Sequence, residues 1–177
     1  PIYKSDNRNT TTNSDTRLEN RKLRLAILGA GGIARKMAET VNRMEKVELY
    51  AVASRTEEKA RQFADTYHAS KWYGSYEEMV ADDRIDLVYI ATPHSHHKEH
   101  TMLCLNHNRA VLCEKAFAVN TKEAEDMIRL AKEKNILLAE AMWVRYMPMS
   151  FTLKEIIDSD VIGKITGLTA NLGYSLM

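Results

Sequence analysis

Four of the six histidines lie in one short stretch, TPHSHHKEH, between Thr92 and His100. His96 and His100 are four residues apart, so on a helix their rings would share one face, a spacing that suits a metal ion. A protein metal site needs three or four ligands, and the sequence places no further Cys, Asp or Glu to complete this pair. The spacing therefore favours a solvated helix face for His96 and His100, and we predict no metal site.

A second pattern with chemical meaning is the glycine-rich segment LAILGAGGIA, in which Gly29, Gly31 and Ala34 form G-x-G-x-x-A. It follows an apolar strand-like run and opens a segment of helical spacing. Gly29 permits a tight turn, Gly31 lets the backbone approach a pyrophosphate, and small Ala34 permits close packing of helix on strand. With Gly32 and Ile33 at the helix start, where N–H groups attract phosphate, the segment predicts a dinucleotide site.

The end of the second predicted strand bears on which dinucleotide is bound. An NAD site normally carries Asp or Glu there for the ribose 2′-hydroxyl, but this chain has Ser54 and Arg55, which suit a 2′-phosphate. Lys59, one helical turn further on, adds a second positive charge. We therefore expect NADP. The alternative is that Arg55 and Lys59 are ordinary solvated charges at a helix start and that NAD is used as well.

The elements that position these residues follow a regular alternation. Apolar runs such as LRLAIL, VELYAVA and IDLVYIA alternate with segments of helical period, about six times in all. This predicts an α/β fold, a Rossmann-type doubly wound parallel sheet, over residues 22–145. Residues 1–21 are polar and predict a flexible leader. Residues 146–177 predict a linking helix, beginning near Pro148, and one strand, from Lys164 to Leu176, which start a truncated second α/β domain.

Composition excludes several classes of partner. With 25 basic and 24 acidic side chains the net charge is +1, so the chain lacks the strongly positive electrostatic potential that would attract nucleic acid. No apolar run approaches the roughly 18 residues of a membrane span, and no secretory signal is present, so we expect a cytoplasmic protein. Cys104 and Cys113 fall in a predicted helix and a predicted buried strand, which is typical of reduced structural thiols.

Taken with the glycine turn, the segments ATPHSHH, LCEKAFAVN and EAMWVRYMP occur in the order typical of one family. From about residue 22 to its end the chain resembles the glucose-fructose oxidoreductase / inositol dehydrogenase family (Gfo/Idh/MocA), and in particular its dihydrodiol-dehydrogenase-like branch. The resemblance implies a dinucleotide-binding domain followed by an α/β domain that supplies the substrate pocket and the oligomer interface. It also implies a small-molecule substrate, a sugar, polyol or diol, and a homo-oligomeric parent enzyme.

The resemblance also assigns roles to residues. The family's Glu-Lys-Pro motif matches Glu114, Lys115 and, in place of proline, Ala116, so Lys115 is the expected acid/base or hydroxyl-positioning group beside the nicotinamide, with Glu114 next to it. The alternative is a strand-end lysine paired with Glu114. Because a cis bond before alanine costs about 3–4 kcal/mol, we expect a trans bond between Lys115 and Ala116.

In the histidine stretch, the resemblance implies that Thr92, Pro93 and His94 line the nicotinamide ribose and that His97 orders this loop. Trp143 and Arg145 border the active site in the family, although an aromatic and a cation filling a domain junction explain them equally well.

The function expected is hydride transfer between a nicotinamide cofactor and a hydroxyl or carbonyl group, by a chain that binds cofactor but is inactive alone. The alternative is a non-catalytic NAD(P)-binding sensor or interaction module. The presence of Lys115 in its motif favours the enzyme. The last strand, left without a neighbour, is expected to be disordered, to dock on its own domain or to pair with another copy.

Overall fold

The computed structural model describes residues 21–171 and 173. Six short strands alternate with helices, as the apolar periodicity predicts. The strands are β1 Leu23–Leu28, β2 Val47–Ala53, β3 Lys71–Tyr73, β4 Leu87–Ile90, β5 Ala110–Cys113 and β6 Leu138–Glu140. The α-helices are α1 Gly32–Val41, α2 Glu57–Tyr67, α3 Tyr76–Ala81, α4 His97–Asn106, α5 Thr121–Lys134 and α6 Pro148–Asp158, with 3-10 turns at His94–His96 and Trp143–Tyr146.

All six strands form one parallel sheet in the order β3-β2-β1-β4-β5-β6. The chain starts in the middle of the sheet, builds outward to β3, and then returns to the other side of β1 to add β4. This reversal between β1 and β4 leaves a crevice at the carboxyl ends of the strands, where ligands bind in such sheets. The predicted Rossmann-type, doubly wound α/β fold is confirmed.

The sheet is covered on both faces, which explains its apolar strands. Successive side chains of a strand point to opposite faces, so Leu25 and Ile27 belong to one buried cluster while Ala26 and Leu28 belong to another. Burial on both faces is the environment in which near-continuous apolar strands are stable. The sheet therefore fixes its strand ends rigidly, and the loops that leave those ends inherit fixed positions.

Two helix starts on this edge are capped by side chains. Ser75 Oγ accepts the Glu78 N–H at the start of α3, and Asn120 Oδ1 accepts the Glu123 N–H at 2.9 Å at the start of α5. Each cap satisfies one of the backbone donors that a helix leaves unpaired at its first turn. The positions of Tyr76 and Glu77, at the start of α3, are therefore well defined.

The chain divides into two units between Ala141 and Met142, four residues before the predicted division at 145. In the second unit α6 begins at Pro148, as predicted, with proline in the first turn. The strand predicted from Lys164 is absent from the described residues 164–171, because a single strand finds no partner for its backbone hydrogen bonds there. The remainder of that strand, and the leader predicted at residues 1–21 up to residue 20, lie outside the described residues.

Within residues 21–171, no helix is both long enough and apolar enough to cross a membrane.

Candidate functional site

A cleft of about 560 Å³ opens at the carboxyl edge of the sheet, where β1, β2 and β4 end. It combines three segments that are far apart in the sequence: the glycine turn after β1, the loop after β2 and the loop after β4. The first residues of α3 and α4 complete its wall. The lining residues are Gly29, Ala30, Gly31, Ser54, Arg55, Lys59, Tyr76, Glu77, Ala91, Thr92, Pro93, His96, Glu99, His100 and Leu103.

Gly29 shows why the turn after β1 needs glycine. Its φ of +101° is a backbone conformation that side chains rarely adopt, and an added Cβ would lie 2.8 Å from Thr92 Cγ2 and 3.2 Å from the Ala91 backbone. The Gly29 N–H meanwhile donates to Ala53 O at 2.9 Å, which ties the turn to the end of β2. The turn is thus held between the β2 and β4 loops that form the other walls of the cleft.

The start of α1 provides backbone donors without competing side chains. Gly31 is the N-cap residue and makes no side-chain cap, Gly32 begins the helix, and its first turn contains no acidic residue. An added Cβ at Gly32 would meet nothing within 4 Å, so the space in front of the turn is open. Ala34 is fully buried and packs the helix onto the sheet, while Ile33 is exposed. Free N–H groups at a positive helix end suit a phosphate.

The β2 side of the cleft is basic. Ser54 is buried at the strand end, and Arg55 and Lys59 are exposed on the loop and first turn that follow. No carboxylate from this side lines the cleft. The two carboxylates in the lining, Glu77 and Glu99, come from α3 and α4. Ser75, which donates to Glu77 at 2.7 Å, holds the pKa of that carboxyl below its usual range. The charge of the cleft is therefore divided between its two walls.

The prediction that His100 lies on a solvated helix face is wrong. His100 is buried, its Nδ1 is hydrogen-bonded to Thr92 Oγ1 at 2.9 Å, and Tyr76 packs edge-on against its ring at 4.8 Å. Burial lowers the pKa of His100, so the neutral imidazole is favoured. His96 is exposed, as predicted, and stacks on His100 with ring centroids 5.6 Å apart.

Sequence reasoning missed Tyr76, His96, His100 and Leu103 as cleft residues. One signal was available for His100. The buried residues of α4 are His97, His100, Thr101, Cys104 and Leu105, and they follow the spacing i, i+3, i+4, i+7, i+8 of an inward-facing helix stripe. Tyr76 carried no such signal, because its place depends on how α3 returns across the sheet edge.

His97 is fully buried one turn before His100. Its Nε2 lies 2.9 Å from Thr92 O and its Nδ1 lies 2.8 Å from Ala116 O, so it joins the loop after β4 to the loop after β5. It does not line the cleft, and neither does His94, which is exposed and packs edge-on against the His97 ring.

Lys115 follows β5, the strand beside β4, and its side chain is exposed. Its ammonium makes no ion pair with any residue in the described part of the chain. Glu114 instead accepts the Tyr89 hydroxyl on Oε1 and the Lys115 backbone N–H, at 3.1 Å, on Oε2. The alternative of a Lys115–Glu114 ion pair is therefore not what the structure shows. Both oxygens of Glu114 are already engaged, and neither Glu114 nor Lys115 lines the cleft.

The Lys115–Ala116 peptide bond is cis, so the expectation of a trans bond is wrong. That expectation used only the general preference of bonds that precede residues other than proline. It did not take account of the path that the chain follows from β5 to α5.

Trp143 and Arg145 belong to the 3-10 turn of the second unit and are not among the residues that line the cleft.

Among residues 21–171 and 173, no group of three or more His, Cys, Asp or Glu side chains is placed to hold a metal ion. Cys104 and Cys113 are free and buried, and burial raises the pKa of each thiol to about 12. They have the properties expected of structural thiols.

Relatives of known activity share this domain. D-xylose 1-dehydrogenase (NADP(+)) of Hypocrea jecorina is 40% identical over 86% of the chain and 42% of its own length. Trans-1,2-dihydrobenzene-1,2-diol dehydrogenase of Mus musculus is 36% identical over 87% and 47%, and scyllo-inositol 2-dehydrogenase (NADP(+)) IolU of Bacillus subtilis is 40% identical over 84% and 45%. The chain thus spans less than half the length of these relatives.

A similar solved structure is KijD10, a 3-ketoreductase from Actinomadura kijaniata in complex with NADP and TDP-benzene. It superimposes with a TM-score of 0.74 at 25% identity, over 81% of this chain and 44% of that one. The family model for the Gfo/Idh/MocA oxidoreductases, described by its NAD-binding Rossmann fold, matches residues 23–142, which include the glycine turn, the cleft and Lys115. The chain therefore belongs to the Gfo/Idh/MocA oxidoreductase family, and residues 23–142 are its NAD-binding Rossmann domain.

Proposed function

We propose that this chain is the cofactor-binding part of an NADP-dependent oxidoreductase that transfers a hydride between the nicotinamide and a hydroxyl or carbonyl group of a sugar, polyol or diol. The observation that carries the proposal is the single cleft that joins the glycine turn to Ser54, Arg55 and Lys59. Backbone N–H groups suited to bind phosphate and a basic wall free of carboxylates meet in this cleft. The relatives named above act on a sugar, a diol and an inositol.

The residues present fit the cofactor. In the proposed complex, the N–H groups at the start of α1 would hold the pyrophosphate, and an added Cβ would meet nothing within 4 Å at Gly32 and Ala91 O at 3.8 Å at Gly31. Arg55 and Lys59 provide charge-assisted hydrogen bonds to a 2′-phosphate, with the Ser54 strand end beneath them. Thr92 and Pro93, which line the opposite wall, complete the cradle.

When bound, the nicotinamide accepts or supplies the hydride. The contribution of this chain to that step is proton handling: the Lys115 ammonium or amine exchanges a proton with the substrate oxygen as the carbon–hydrogen bond breaks or forms. The Lys115 side chain is exposed and unpaired with the described residues, so its amine is available for this role. Glu114 accepts the Lys115 backbone N–H and the Tyr89 hydroxyl, and neither residue bonds the Lys115 amine.

The choice of cofactor is tested by titrating the chain with NADPH and NADH and following nicotinamide fluorescence. NADPH is expected to bind more tightly, and Arg55→Asp is expected to reverse the order, since a charge-assisted hydrogen bond contributes about 1.5–3 kcal/mol. Arg43→Asp is the matched control, because Arg43 is exposed just beyond the far end of α1 and does not line the cleft. Equal affinities for the two cofactors before and after Arg55→Asp would refute the assignment.

The role of Lys115 is tested in a protein that joins this domain to its substrate domain. Lys115→Met is expected to lower turnover about 10²-fold or more, because a positioned acid/base contributes that much, and to leave NADPH affinity unchanged. A fully active Met variant would remove Lys115 from the chemistry.

A further inference from the structure

His97 forms a direct link between two loops that have separate roles in the proposed enzyme. It is fully buried, and each of its ring nitrogens faces a carbonyl oxygen, that of Thr92 at 2.9 Å and that of Ala116 at 2.8 Å. Carbonyl oxygens only accept hydrogen bonds, so a ring nitrogen that carries a hydrogen donates to the carbonyl that it faces. Separation of the two loops would remove at least one of these close contacts from a buried site, where the loss is costly.

Thr92, at one end of this link, is held on three sides. Its carbonyl is bound by His97, its hydroxyl is bound to His100 Nδ1 at 2.9 Å, and its methyl group packs on Gly29, where an added Cβ would approach to 2.8 Å. Thr92 and His100 both line the cleft. A ligand that presses on these two residues therefore acts on a part of the chain that is firmly bonded to His97.

Lys115, at the other end, is fixed through its backbone on both sides. Before it, Glu114 accepts the Lys115 N–H at 3.1 Å and is itself held by the hydroxyl of buried Tyr89. After it, the Ala116 carbonyl is held by His97. Of these two supports, only His97 also reaches the wall of the cofactor cleft.

We propose that His97 is a positioning residue that couples occupancy of the cleft to the placement of Lys115, through the path His100–Thr92–His97–Ala116. This proposal rests on the proposed function, because it requires the cleft to bind the cofactor. Packed, hydrogen-bonded groups of this kind transmit small displacements, and such a path is established only by measured coupling. A cofactor fragment in the adenosine half of the cleft should then move the Lys115 backbone without touching it.

Adenosine 2′,5′-bisphosphate is the probe that tests this, because it carries the adenine, the ribose and the 2′-phosphate but no nicotinamide. The 177-residue chain is labelled with ¹⁵N and its backbone amide resonances are followed as the probe is added. The amides of Lys115 and Ala116 are expected to shift along the same saturation curve as those of Arg55 and Thr92. Saturation of the Arg55 amide without any shift at Lys115 or Ala116, whether or not Thr92 shifts, would overturn the coupling while leaving the cofactor site intact.

Variants of His97 identify the residue that carries the coupling. His97→Phe fills the ring volume without donors, so it is expected to lose the shifts at Lys115 and Ala116 even when the probe saturates the Arg55 amide. His97→Asn, whose amide nitrogen has two donors, is expected to restore part of those shifts. His107→Gln is the control, since His107 caps the far end of α4, is exposed, and its ring bonds Leu103 O of its own helix.

Each result has a defined meaning. Shifts that persist in His97→Phe would overturn the role of His97, and if that variant does not fold, the Asn variant and the wild-type titration still decide the question. Failure of the probe to bind the wild-type chain would overturn the proposed function together with the coupling.

Discussion

Replacing Gly29 by alanine tests whether the turn after β1 is fixed by the fold itself, before any cofactor binds. The structure gives two separate reasons for a large effect. The φ of +101° is unfavourable for alanine, at about 1–3 kcal/mol for such a backbone conformation. The new Cβ would also lie 2.8 Å from Thr92 Cγ2 and 3.2 Å from the Ala91 backbone, and overpacking of that kind costs about 1–3 kcal/mol.

The free energy of unfolding of Gly29→Ala is therefore expected to fall by about 2–6 kcal/mol, a large part of the about 5–15 kcal/mol that stabilises a typical domain. Gly32→Ala is the matched control in the same turn. Its φ is not in the left-handed range and its Cβ would meet nothing within 4 Å, so the change should stay below about 1 kcal/mol.

Equilibrium urea unfolding of the cofactor-free chain, followed by circular dichroism, measures both variants against wild type. The urea midpoint of Gly29→Ala is expected to be far below that of Gly32→Ala, with similar slopes. Midpoints that agree within error would show that Thr92 and the β4 loop move aside without loss of stability. That result would refute the conclusion that the turn at Gly29 is held between the β2 and β4 loops.

Two further predictions concern Gly31, in the same turn, and Asp82, at the far end of α3. Gly31→Ala should keep wild-type stability, because its Cβ would lie at an ordinary contact distance of 3.8 Å from Ala91 O. It should lose NADPH affinity, because that Cβ occupies the approach to the pyrophosphate. Unchanged affinity in an NADPH titration would contradict the phosphate-binding role of this turn. The hydrogen bond from Arg84, together with those from the Tyr73 and Tyr50 hydroxyls, lowers the pKa of the Asp82 carboxyl. The ionised carboxylate therefore stabilises the folded chain above about pH 4, and this stabilisation is lost as the pH falls further. Asp82→Asn should therefore unfold more easily at neutral pH by about 1.5–3 kcal/mol and show a weaker acid dependence than wild type in urea titrations at several pH values.

The fold follows from the sequence because its signals are local and repeated. The apolar runs of β1, β2 and β4 are short, are buried on both faces and are each followed by a helical segment, a pattern that a parallel sheet satisfies. The glycine turn is equally local, since Gly29 and Gly31 act through their own backbone. Because the carboxyl ends of parallel strands lie at one edge, the sequence also predicts that Ser54 and Thr92 approach the turn, and both line the cleft.

Features that depend on contacts between distant elements were not predictable in the same way. The place of Tyr76 depends on where α3 crosses the sheet edge, and the burial of His100 depends on Thr92 and Tyr76, which are 8 and 24 positions away in the sequence. The two acceptors of His97 are 5 and 19 positions away. From polarity alone, a run of histidines is expected to be exposed to solvent. The sequence does not show that buried hydrogen-bond partners are available to these rings.

The sheet places the proposed cofactor site and the proposed proton-handling residue in neighbouring loops. The ladder continues beyond the strand ends, with Ala91 N donating to Leu28 O at 2.9 Å and Glu114 N donating to Ile90 O at 3.1 Å. The β4 loop that lines the cleft and the β5 loop that carries Lys115 therefore leave adjacent strands, about 4.8 Å apart. Lys115 lies beside the cleft without forming its wall, so in the proposed enzyme a change at Lys115 is expected to act on proton handling and one at Arg55 on cofactor affinity. His97 spans the gap between those loops, and it is the side chain through which a change on one side is expected to reach the other.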